Sequence, residues 1–258
     1  MIPKIIHYCW LSDDPIPLEF QQYIDGWHRL LPDYEFIKWD FTRFDKESSI
    51  WVSEAFVNKK YAFAADYIRL YAVYHYGGIY MDMDVELLKP FDDLLDKPYM
   101  FANEKPDKNW IECGCFGAEK GNEFLKKCLD YYEDRHFIQS NGTFDTFPLP
   151  ILTGAIIRDN HFDLDTYSWK YFTAKTFKTG IEEPDETTYA IHHYASTWKN
   201  EEEMKYIERA RNIRNSIPVI GRPLAFIYEQ GLKSFHILRY EGFNELLNRM
   251  NRFIDRIK

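Results

Sequence analysis

A helical pattern that stops at two adjacent glycines is the strongest constraint on the fold of this chain. Apolar residues recur at helical spacing over residues 62–76, and Asp66 and Arg69, three positions apart, lie on one flank of that helix. Gly77-Gly78 follows, and it permits a tight reversal that β-carbons would resist. The sequence therefore predicts a helix that turns sharply into the next element.

That next element is a short apolar run containing two carboxylates, Asp82 and Asp84. An extended backbone would point both side chains to the same side, because strand residues alternate. Two neighbouring carboxylates repel each other unless a cation lies between them. Oxygen ligands of this kind suit Mg²⁺ or Mn²⁺, with substrate phosphates and water completing the shell.

An acidic pair of this kind has three other interpretations. A calcium loop of the EF-hand type needs Gly and Glu at its sixth and twelfth positions, where this chain has Leu87 and Asp93. Glycoside hydrolysis needs two carboxylates on different elements that flank the sugar, which neighbours on one strand cannot do. A solvated acidic turn is the favoured interpretation of a bare Asp-x-Asp, but the surrounding Gly-Gly-Ile-Tyr and the upstream Asp-Tyr-Ile-Arg shift that balance.

At these residues the sequence resembles the family 32 glycosyltransferases, which carry a DXD motif and are distantly similar to the glucosyltransferase domains of bacterial toxins. The resemblance also covers residues 2–10, which look like the opening strand of that family, and residues 189–194 with Trp198, which look like its closing signature. It implies a GT-A fold, a Rossmann-like nucleotide-sugar domain. Ligands of such sheets bind beyond the carboxyl ends of the strands.

The resemblance assigns roles at the catalytic centre. It implies that Asp66 and Arg69 hold hydroxyls of the donor sugar, although a structural ion pair on the helix is the commoner arrangement in helices generally. His193 is favoured over His192 as a third metal ligand or diphosphate contact, with His192 kept as the alternative. Imidazole accepts Mn²⁺, and adjacent residues of an extended segment face opposite sides.

The predicted nucleotide contacts come from the first strand and from the closing signature. Tyr8 and Trp10 belong to the first strand, and Trp10 is positioned to stack on the base. Ser196 and Trp198 are expected to close over the diphosphate. His7, in the same first strand, is interpreted as a core histidine with a satisfied hydrogen bond.

The resulting prediction is a metal-dependent, retaining glycosyltransferase. It would move a hexose, from a UDP-sugar by preference, to a glycan or lipid-linked oligosaccharide in capsule or lipopolysaccharide synthesis. The metal would neutralise charge on the leaving diphosphate. No general base is assigned, and Glu104, Glu112 and Asp145 stay open. The alternatives are a nucleotide-sugar hydrolase or phosphodiesterase, which would release sugar without an acceptor, and a non-catalytic carbohydrate-binding protein, which would not need Asp82 and Asp84.

Helical and strand patterns alternate along the chain, which predicts an α/β fold with a mainly parallel sheet. A length of 258 residues, 45% of them hydrophobic and 18% aromatic, favours one domain over 1–258, with a helical extension over about 200–258. The predicted strands cover residues 4–10, 34–39, 99–103 and 111–118, and the predicted helices cover residues 18–31, 50–59, 62–76 and 122–135.

Charge and cysteine content limit the partners and the cellular location that we expect for this chain. A net charge of −9 argues against nucleic acid as a partner. The four cysteines lack a paired metal-binding pattern, and we expect them to be reduced. No signal peptide is expected before Ile2, so the predicted location is cytoplasmic. Residues 242–258 form an amphipathic helical pattern with basic residues, so peripheral membrane contact is a minority hypothesis there. Oligomeric state is open.

Overall fold

A computed structural model describes residues 1–105, 108–195, 201–216, 225–226 and 228–231. The chain divides into two compact units. The first comprises Met1–Thr176 with Ile181–Trp198, and the second comprises Phe177–Gly180 with Lys199–Lys258. All of the predicted site residues belong to the first unit.

The first unit alternates strands with helices. Its strands are β1 (Ile5–Cys9), β2 (Glu35–Trp39), β3 (Gly78–Met81), β4 (Val85–Leu87), β5 (Tyr99–Met100), β6 (Asn103–Lys105), β7 (Lys108–Ile111), β8 (Cys115–Ala118) and β9 (Ala190–His192). Its helices are α1 (Leu18–Leu30), α2 (Ile50–Val57), α3 (Tyr61–Tyr76), α4 (Glu123–Asp130) and α5 (Leu149–Asp159). The predicted bounds of β1, β2, α1, α2 and α3 agree with these to within one or two residues.

A five-stranded sheet in the order β2-β1-β3-β8-β5 lies at the centre of this unit. β1 runs parallel to both β2 and β3, whereas β8 is antiparallel to β3 and to β5. Every strand of this sheet except β8 therefore runs in one direction. The predicted α/β class with a mainly parallel sheet is confirmed, and the sheet is consistent with the GT-A type that the resemblance implies. Two smaller antiparallel pairs, β4-β9 and β6-β7, complete the strands.

The two glycines between α3 and β3 are required by close packing. Gly77 caps α3 with φ +69°, and its N–H donates to the carbonyl of Val73 at 2.8 Å. Gly78 has φ +105°, and a β-carbon there would lie 2.6 Å from the carbonyl oxygen of Ile5 in β1. Only glycine has both this conformation and this clearance, so the pair allows β3 to lie directly against β1.

Three predicted elements are wrong in extent. The predicted strand over 99–103 is interrupted, because β5 ends at Met100 and β6 begins at Asn103. The predicted strand over 111–118 is broken, because β7 ends at Ile111 in the small β6-β7 pair, β8 begins at Cys115 in the central sheet, and the segment 112–114 belongs to neither strand. The predicted helix over 122–135 ends at Asp130. Asp134 takes a left-handed conformation with φ +53°, which a helix cannot continue through.

The second unit contains α6 (Glu201–Ser216). Arg211 of this helix donates through Nε and Nη2 to the carbonyl of Phe177, at 2.9 and 2.7 Å, which holds the short segment 177–180 against the helix. The predicted amphipathic helix of residues 242–258 lies outside the described residues. Among the helices that the structure describes, none combines the length and the apolar character that crossing a membrane requires.

Candidate active site

The acidic pair lies in a turn that links the central sheet to the small β4-β9 pair. β3 ends at Met81, and the backbone N–H of Asp82 donates to the carbonyl of Gly114 at 2.7 Å. Val85 N–H closes the turn on the carbonyl of Asp82 at 3.0 Å. The expectation of an extended backbone here is therefore wrong. The turn nevertheless brings ligand atoms of Asp82, Asp84 and His192 within 4.8 Å of one another.

Arg69 of α3 is the buried cation beside this turn. Its Nη1 lies 3.0 Å from Asp82 Oδ2 and donates to the carbonyl of Cys113 at 2.7 Å, while its Nη2 lies 3.2 Å from Asp66 Oδ1. The guanidinium thus joins the helix to both the acidic turn and the segment before β8. The structure shows the ion pair between Asp66 and Arg69, and their predicted contact with donor-sugar hydroxyls stays a prediction.

Tyr80 is a site residue that the sequence analysis treated only as part of a buried strand. Its hydroxyl donates to Asp82 Oδ1 at 2.8 Å, and its ring lies 4.9 Å from the guanidinium carbon of Arg69. Asp82 is therefore held on both carboxylate oxygens, by Tyr80 on one and by Arg69 on the other.

Burial opposes the negative charges of this group. It raises the pKa of Asp66 to about 7, and it raises the pKa of Asp82 above its usual range although the neighbouring Arg69 favours the ionised form. Two buried carboxylates thus share one guanidinium as their nearby cation. A second cation at Asp82 would favour ionisation, and this donor set is one that accepts it.

Asp84 is held by the segment that follows β9. The backbone N–H of Ala195 donates to Asp84 Oδ2 at 2.6 Å, and His192 Nε2 lies 3.5 Å from Asp84 Oδ1. Burial alone would raise the pKa of Asp84, but attraction to His192 and the N–H of Ala195 outweigh it and lower that pKa to about 2. Asp84 is therefore ionised throughout the physiological range.

His192 is oriented from behind by a buried carboxylate. Its Nδ1 lies 2.9 Å from Oε1 of Glu112, whose side chain is 2% exposed, and whose Oε2 accepts a hydrogen bond from the Thr173 hydroxyl at 2.9 Å. A hydrogen bond from Nδ1–H to Glu112 leaves Nε2 facing Asp84. Burial alone would lower the pKa of His192, but the two carboxylates outweigh it and raise that pKa well above its usual value.

Gly114 provides the space that this contact needs. A β-carbon at this position would lie 2.6 Å from Cε1 and 2.7 Å from Nδ1 of His192, and 2.8 Å from Oε1 of Glu112. Its N–H also donates to that Glu112 oxygen at 2.6 Å. Glycine here allows backbone, imidazole and carboxylate to meet, and a glycine within an apolar strand pattern is the sequence signal that would have indicated a close approach.

His193, the histidine that the sequence analysis favoured, points elsewhere. Its Nε2 lies 2.9 Å from Glu86 Oε2, its Nδ1 lies 3.3 Å from Lys175 Nζ, and its ring stacks on Tyr23 at 5.2 Å between centroids. The adjacent histidines face different neighbours, as the alternation of an extended segment predicts. The structure therefore groups His192, the alternative, and not the favoured His193 with the two aspartates, and metal binding by His192 stays a prediction.

The predicted nucleotide contacts are only partly described. Trp10 follows β1, the parallel neighbour of β3, so Trp10 and the acidic turn leave the sheet at the same edge. Its indole N–H donates to the carbonyl of Asp14 at 2.7 Å. Tyr8 packs edge-on against Trp27, with 5.9 Å between centroids. Ser196 and Trp198 lie outside the described residues.

The three residues left open as general base have different surroundings. Glu112 is bonded to His192, and Asp145 accepts two hydrogen bonds from Arg135 at 2.6 and 3.0 Å, so both are engaged within the protein. Glu104 has a buried Oε2 that lies 3.3 Å from Lys105 Nζ, and burial raises its pKa. None of the three becomes an assigned base.

Parts of this chain are similar in sequence to known proteins. The family described as "Glycosyltransferase sugar-binding region containing DXD motif" matches residues 17–101. Inositol phosphoceramide mannosyltransferase 1 of Schizosaccharomyces pombe is 35% identical over 157 residues, which are 55% of this chain and 47% of that protein. A mannosyl phosphorylinositol ceramide synthase of Saccharomyces cerevisiae is 36% identical over 110 residues, 41% of this chain and 28% of that protein.

Among solved structures, the PaToxG glycosyltransferase superposes with a TM-score of 0.46 at 16% identity, covering 62% of this chain and 69% of that one. The chain thus spans less than half the length of the two fungal relatives that it matches.

Proposed function

We propose that this chain transfers a hexose from a nucleotide-diphosphate sugar to a lipid-linked acceptor, and the match of residues 17–101 to the DXD-motif glycosyltransferase family supports this reaction class. One observation carries the proposal. Asp82, Asp84 and His192 present ligand atoms within 4.8 Å of one another, in a turn at the edge of the sheet where α/β folds bind ligands. The Asp pair is the one that the family motif names.

The relatives narrow the substrates to be tested. The two fungal proteins are named for mannosyl transfer to inositol phosphoceramide, and neither name refers to capsule or lipopolysaccharide. We therefore take mannose as the first candidate hexose and a glycolipid as the first candidate acceptor. The preference for a UDP-sugar, based on the family resemblance, is tested against GDP-mannose.

Two carboxylates and an imidazole form a donor set that suits Mn²⁺ well and Mg²⁺ acceptably. Such an ion, when bound, neutralises the charge that develops on the leaving diphosphate. Asp84 and His192 would hold it from the β9 side, and Asp82 from the α3 side. Glu112 keeps the His192 imidazole turned so that Nε2 faces the ligand space, and Tyr80 and Arg69 keep Asp82 from rotating away.

The rest of the chemistry needs no protein nucleophile. In the retaining reaction that the resemblance implies, the bond from the anomeric carbon to the phosphate oxygen breaks and the bond to the acceptor hydroxyl oxygen forms on the same face. The departing phosphate takes the hydroxyl proton. The protein's contribution is to bind and orient the two substrates and to exclude water.

The first experiment measures binding before turnover. Thermal unfolding and calorimetry of the whole chain with GDP or UDP, each with Mn²⁺, Mg²⁺ or EDTA, should show stabilisation that requires both metal and one nucleotide. Asp84→Ala should lose this response and all transfer, with unchanged circular dichroism. Asp165→Ala, at a carboxylate that is 86% exposed, is the matched control and should behave as wild type.

Transfer is then assayed with GDP-mannose or UDP-glucose, with and without a glycolipid acceptor. Product that forms only with acceptor supports the transferase. Sugar release at the same rate without acceptor would support the hydrolase instead, and full transfer activity in Asp84→Ala would refute the metal role. The cytoplasmic location and the membrane contact of residues 242–258 stay predictions.

A further inference from the structure

Glu104 of β6 carries a buried oxygen atom that has no hydrogen bond. Within the described part of the chain, its Oε2 is the single buried side-chain oxygen or nitrogen in this condition. Lys105 Nζ lies 3.3 Å away without forming a hydrogen bond to it, and that ammonium also lies 4.8 Å from the ring centroid of Trp110. A buried polar atom without a partner costs free energy, and a ligand is one reason for a protein to keep it.

The carboxylate is nevertheless within reach of a ligand. The Glu104 side chain is 13% exposed, so part of it lies at the surface. Rotation about the last bond of a glutamate side chain has a low barrier and exchanges the two oxygens. Glu104 therefore has hydrogen-bonding capacity that the described protein groups do not use.

The strand pairing places Glu104 on the same side as Glu112. Asn103 of β6 lies opposite Ile111 of β7, and the N–H of Glu112 donates to the carbonyl of Ala102 at 2.9 Å. The irregularity in this pair adds its extra residue to β7, so the side chains of β6 alternate normally. Glu104 therefore points to the same side of the strand pair as Ala102 and Glu112.

The charges around the candidate metal site act on Glu104. Burial raises the pKa of the Glu104 carboxyl most and the charge of Glu112 raises it further, while the adjacent lysine and His192 oppose this rise. The Tyr194 ring stacks on His192 at 4.2 Å between centroids. Burial, followed by the charges of Glu112, Glu104 and Asp84, raises the pKa of the Tyr194 hydroxyl. Glu104 thus belongs to the surroundings of the histidine that faces Asp84.

The strand order puts Glu104 across the acidic turn from the predicted nucleotide contact. β1, β3 and β5 run in the same direction, so Trp10 after β1, Asp82 after β3 and the segment 101–104 after β5 leave the sheet at one edge. β1 lies on one side of β3, and β8 with β5 lies on the other. With the base at Trp10 and the diphosphate at the metal, the side of Glu104 is left for the acceptor. A carboxylate there repels phosphates and accepts hydrogen bonds from neutral hydroxyls.

We propose that Glu104 is an acceptor-binding residue, whose carboxylate accepts a hydrogen bond from a hydroxyl of the polyol headgroup that receives the hexose. The acceptor would thereby be held beside His192 and the donor. This inference rests on the proposed function for the existence of an acceptor, and it deepens that function by naming the group that binds it.

The first test is transfer from GDP-mannose to phosphatidylinositol in detergent micelles, a lipid whose headgroup carries ring hydroxyls. Glu104→Gln should raise the KM for phosphatidylinositol about tenfold or more, because a hydrogen bond to a charged oxygen becomes one to a neutral amide. The KM for GDP-mannose and the metal-dependent binding of GDP should stay unchanged. Glu133→Gln, at an exposed glutamate, is the matched control and should behave as wild type.

A second test distinguishes binding from a structural role without any substrate. Methionine has about the length of glutamate but leaves no buried oxygen without a partner, so Glu104→Met should unfold at an equal or higher urea concentration than the wild type. A carboxylate that holds the fold together would give the opposite result, with earlier unfolding in both Glu104→Met and Glu104→Gln.

An unchanged KM for phosphatidylinositol in Glu104→Gln would overturn the proposal, and so would earlier unfolding of Glu104→Met. Loss of GDP binding in Glu104→Gln would assign the residue to the donor instead. A wild type that binds GDP with metal but transfers nothing to phosphatidylinositol would refute the polyol headgroup. A wild type that binds no nucleotide with any metal would refute the proposed function itself, so the two failures are distinguishable.

Discussion

Glu112 and His192 are joined by a contact of 2.9 Å between side chains that lie 80 positions apart in the chain. The carboxylate is buried and the imidazole faces Asp84 on its other side. A carboxylate behind a metal-binding histidine fixes the tautomer and the orientation of the ring. The proposed metal site would therefore depend on Glu112, a residue that would not contact the ion.

Glu112→Gln should weaken Mn²⁺ binding about 10- to 100-fold, because a neutral amide holds the imidazole less firmly than a carboxylate does. Calorimetric titration of the nucleotide-free protein with Mn²⁺ measures this directly. Glu133→Gln, at an exposed glutamate, is the control. Unchanged Mn²⁺ affinity in Glu112→Gln would show that His192 does not need this partner.

Gly114→Ala should disrupt the same contact by crowding. Its β-carbon would approach His192 and Glu112 to 2.6–2.8 Å, so the variant should lose about 1–3 kcal/mol of unfolding free energy and its metal-dependent nucleotide binding. Urea denaturation and thermal shift measure the two effects. Gly26→Ala is the control. Gly26 lies inside α1, and a β-carbon at this position would be 3.7 Å from its nearest neighbouring atom, which is an ordinary contact distance. Retained binding in Gly114→Ala would contradict the packing described.

Arg69→Met should cost about 3–5 kcal/mol of unfolding free energy, because Asp66 and Asp82 would lose the guanidinium that both contact. Chemical denaturation at neutral pH measures the loss. Arg158→Met removes an arginine that is 73% exposed from its ion pair with Asp159, and it should leave the unfolding free energy almost unchanged, because solvent screens an exposed pair. Equal small losses in the two variants would mean that the buried network adds nothing to stability.

His7 should make the fold sensitive to acid. It is fully buried, accepts a hydrogen bond from the Trp39 indole on Nδ1 and lies 2.8 Å from the carbonyl of Gly77 on Nε2. Burial lowers the pKa of His7 from 6.5 to about 4. The unfolded chain therefore binds a proton between pH 6.5 and 4 that the folded chain does not, so stability is full above pH 6.5 and falls as the pH drops through this window.

The loss by pH 4 should approach about 3 kcal/mol, from a shift of about two and a half pKa units. Unfolding free energies of the wild type and His7→Gln, measured between pH 7 and 4, test this. The two curves should converge as the pH falls, because glutamine does not titrate. Parallel curves would show that the histidine is not held neutral in the folded state.

Most of the fold could be predicted from the helical and strand periods, because these patterns depend on residues that are close together in the sequence. β1, α1, β2, α2 and α3 begin and end close to the predicted residues, since each has a clear apolar period and a Gly, Pro or polar boundary. The strand over 111–118 was predicted as continuous because its apolar residues continue across Glu112 and Gly114. The Glu112 carboxylate instead contacts Thr173 and His192, which lie far along the chain and leave no local signal at this segment.

In the candidate site, too, local motifs could be recognised in the sequence, whereas contacts between distant residues could not. The DXD carboxylates and Arg69 were identified by their motif, and the choice between His192 and His193 depended on which neighbour each ring meets. That neighbour is set by the pairing of β4 with β9, where Val85 lies opposite His192. Tyr80 could not be singled out, because a buried strand tyrosine has no local signal for a hydrogen bond to Asp82.

The pairing of β4 with β9 also determines when the site can form during synthesis. Both aspartates, the central sheet and α3 are translated long before β9, and β4 has no partner in its small sheet until residues 190–192 emerge. A nascent chain that has folded its central sheet still lacks the imidazole opposite the carboxylates. All residues up to His192 must therefore be synthesised before the three groups can meet, so the proposed cation site cannot form until β9 has emerged.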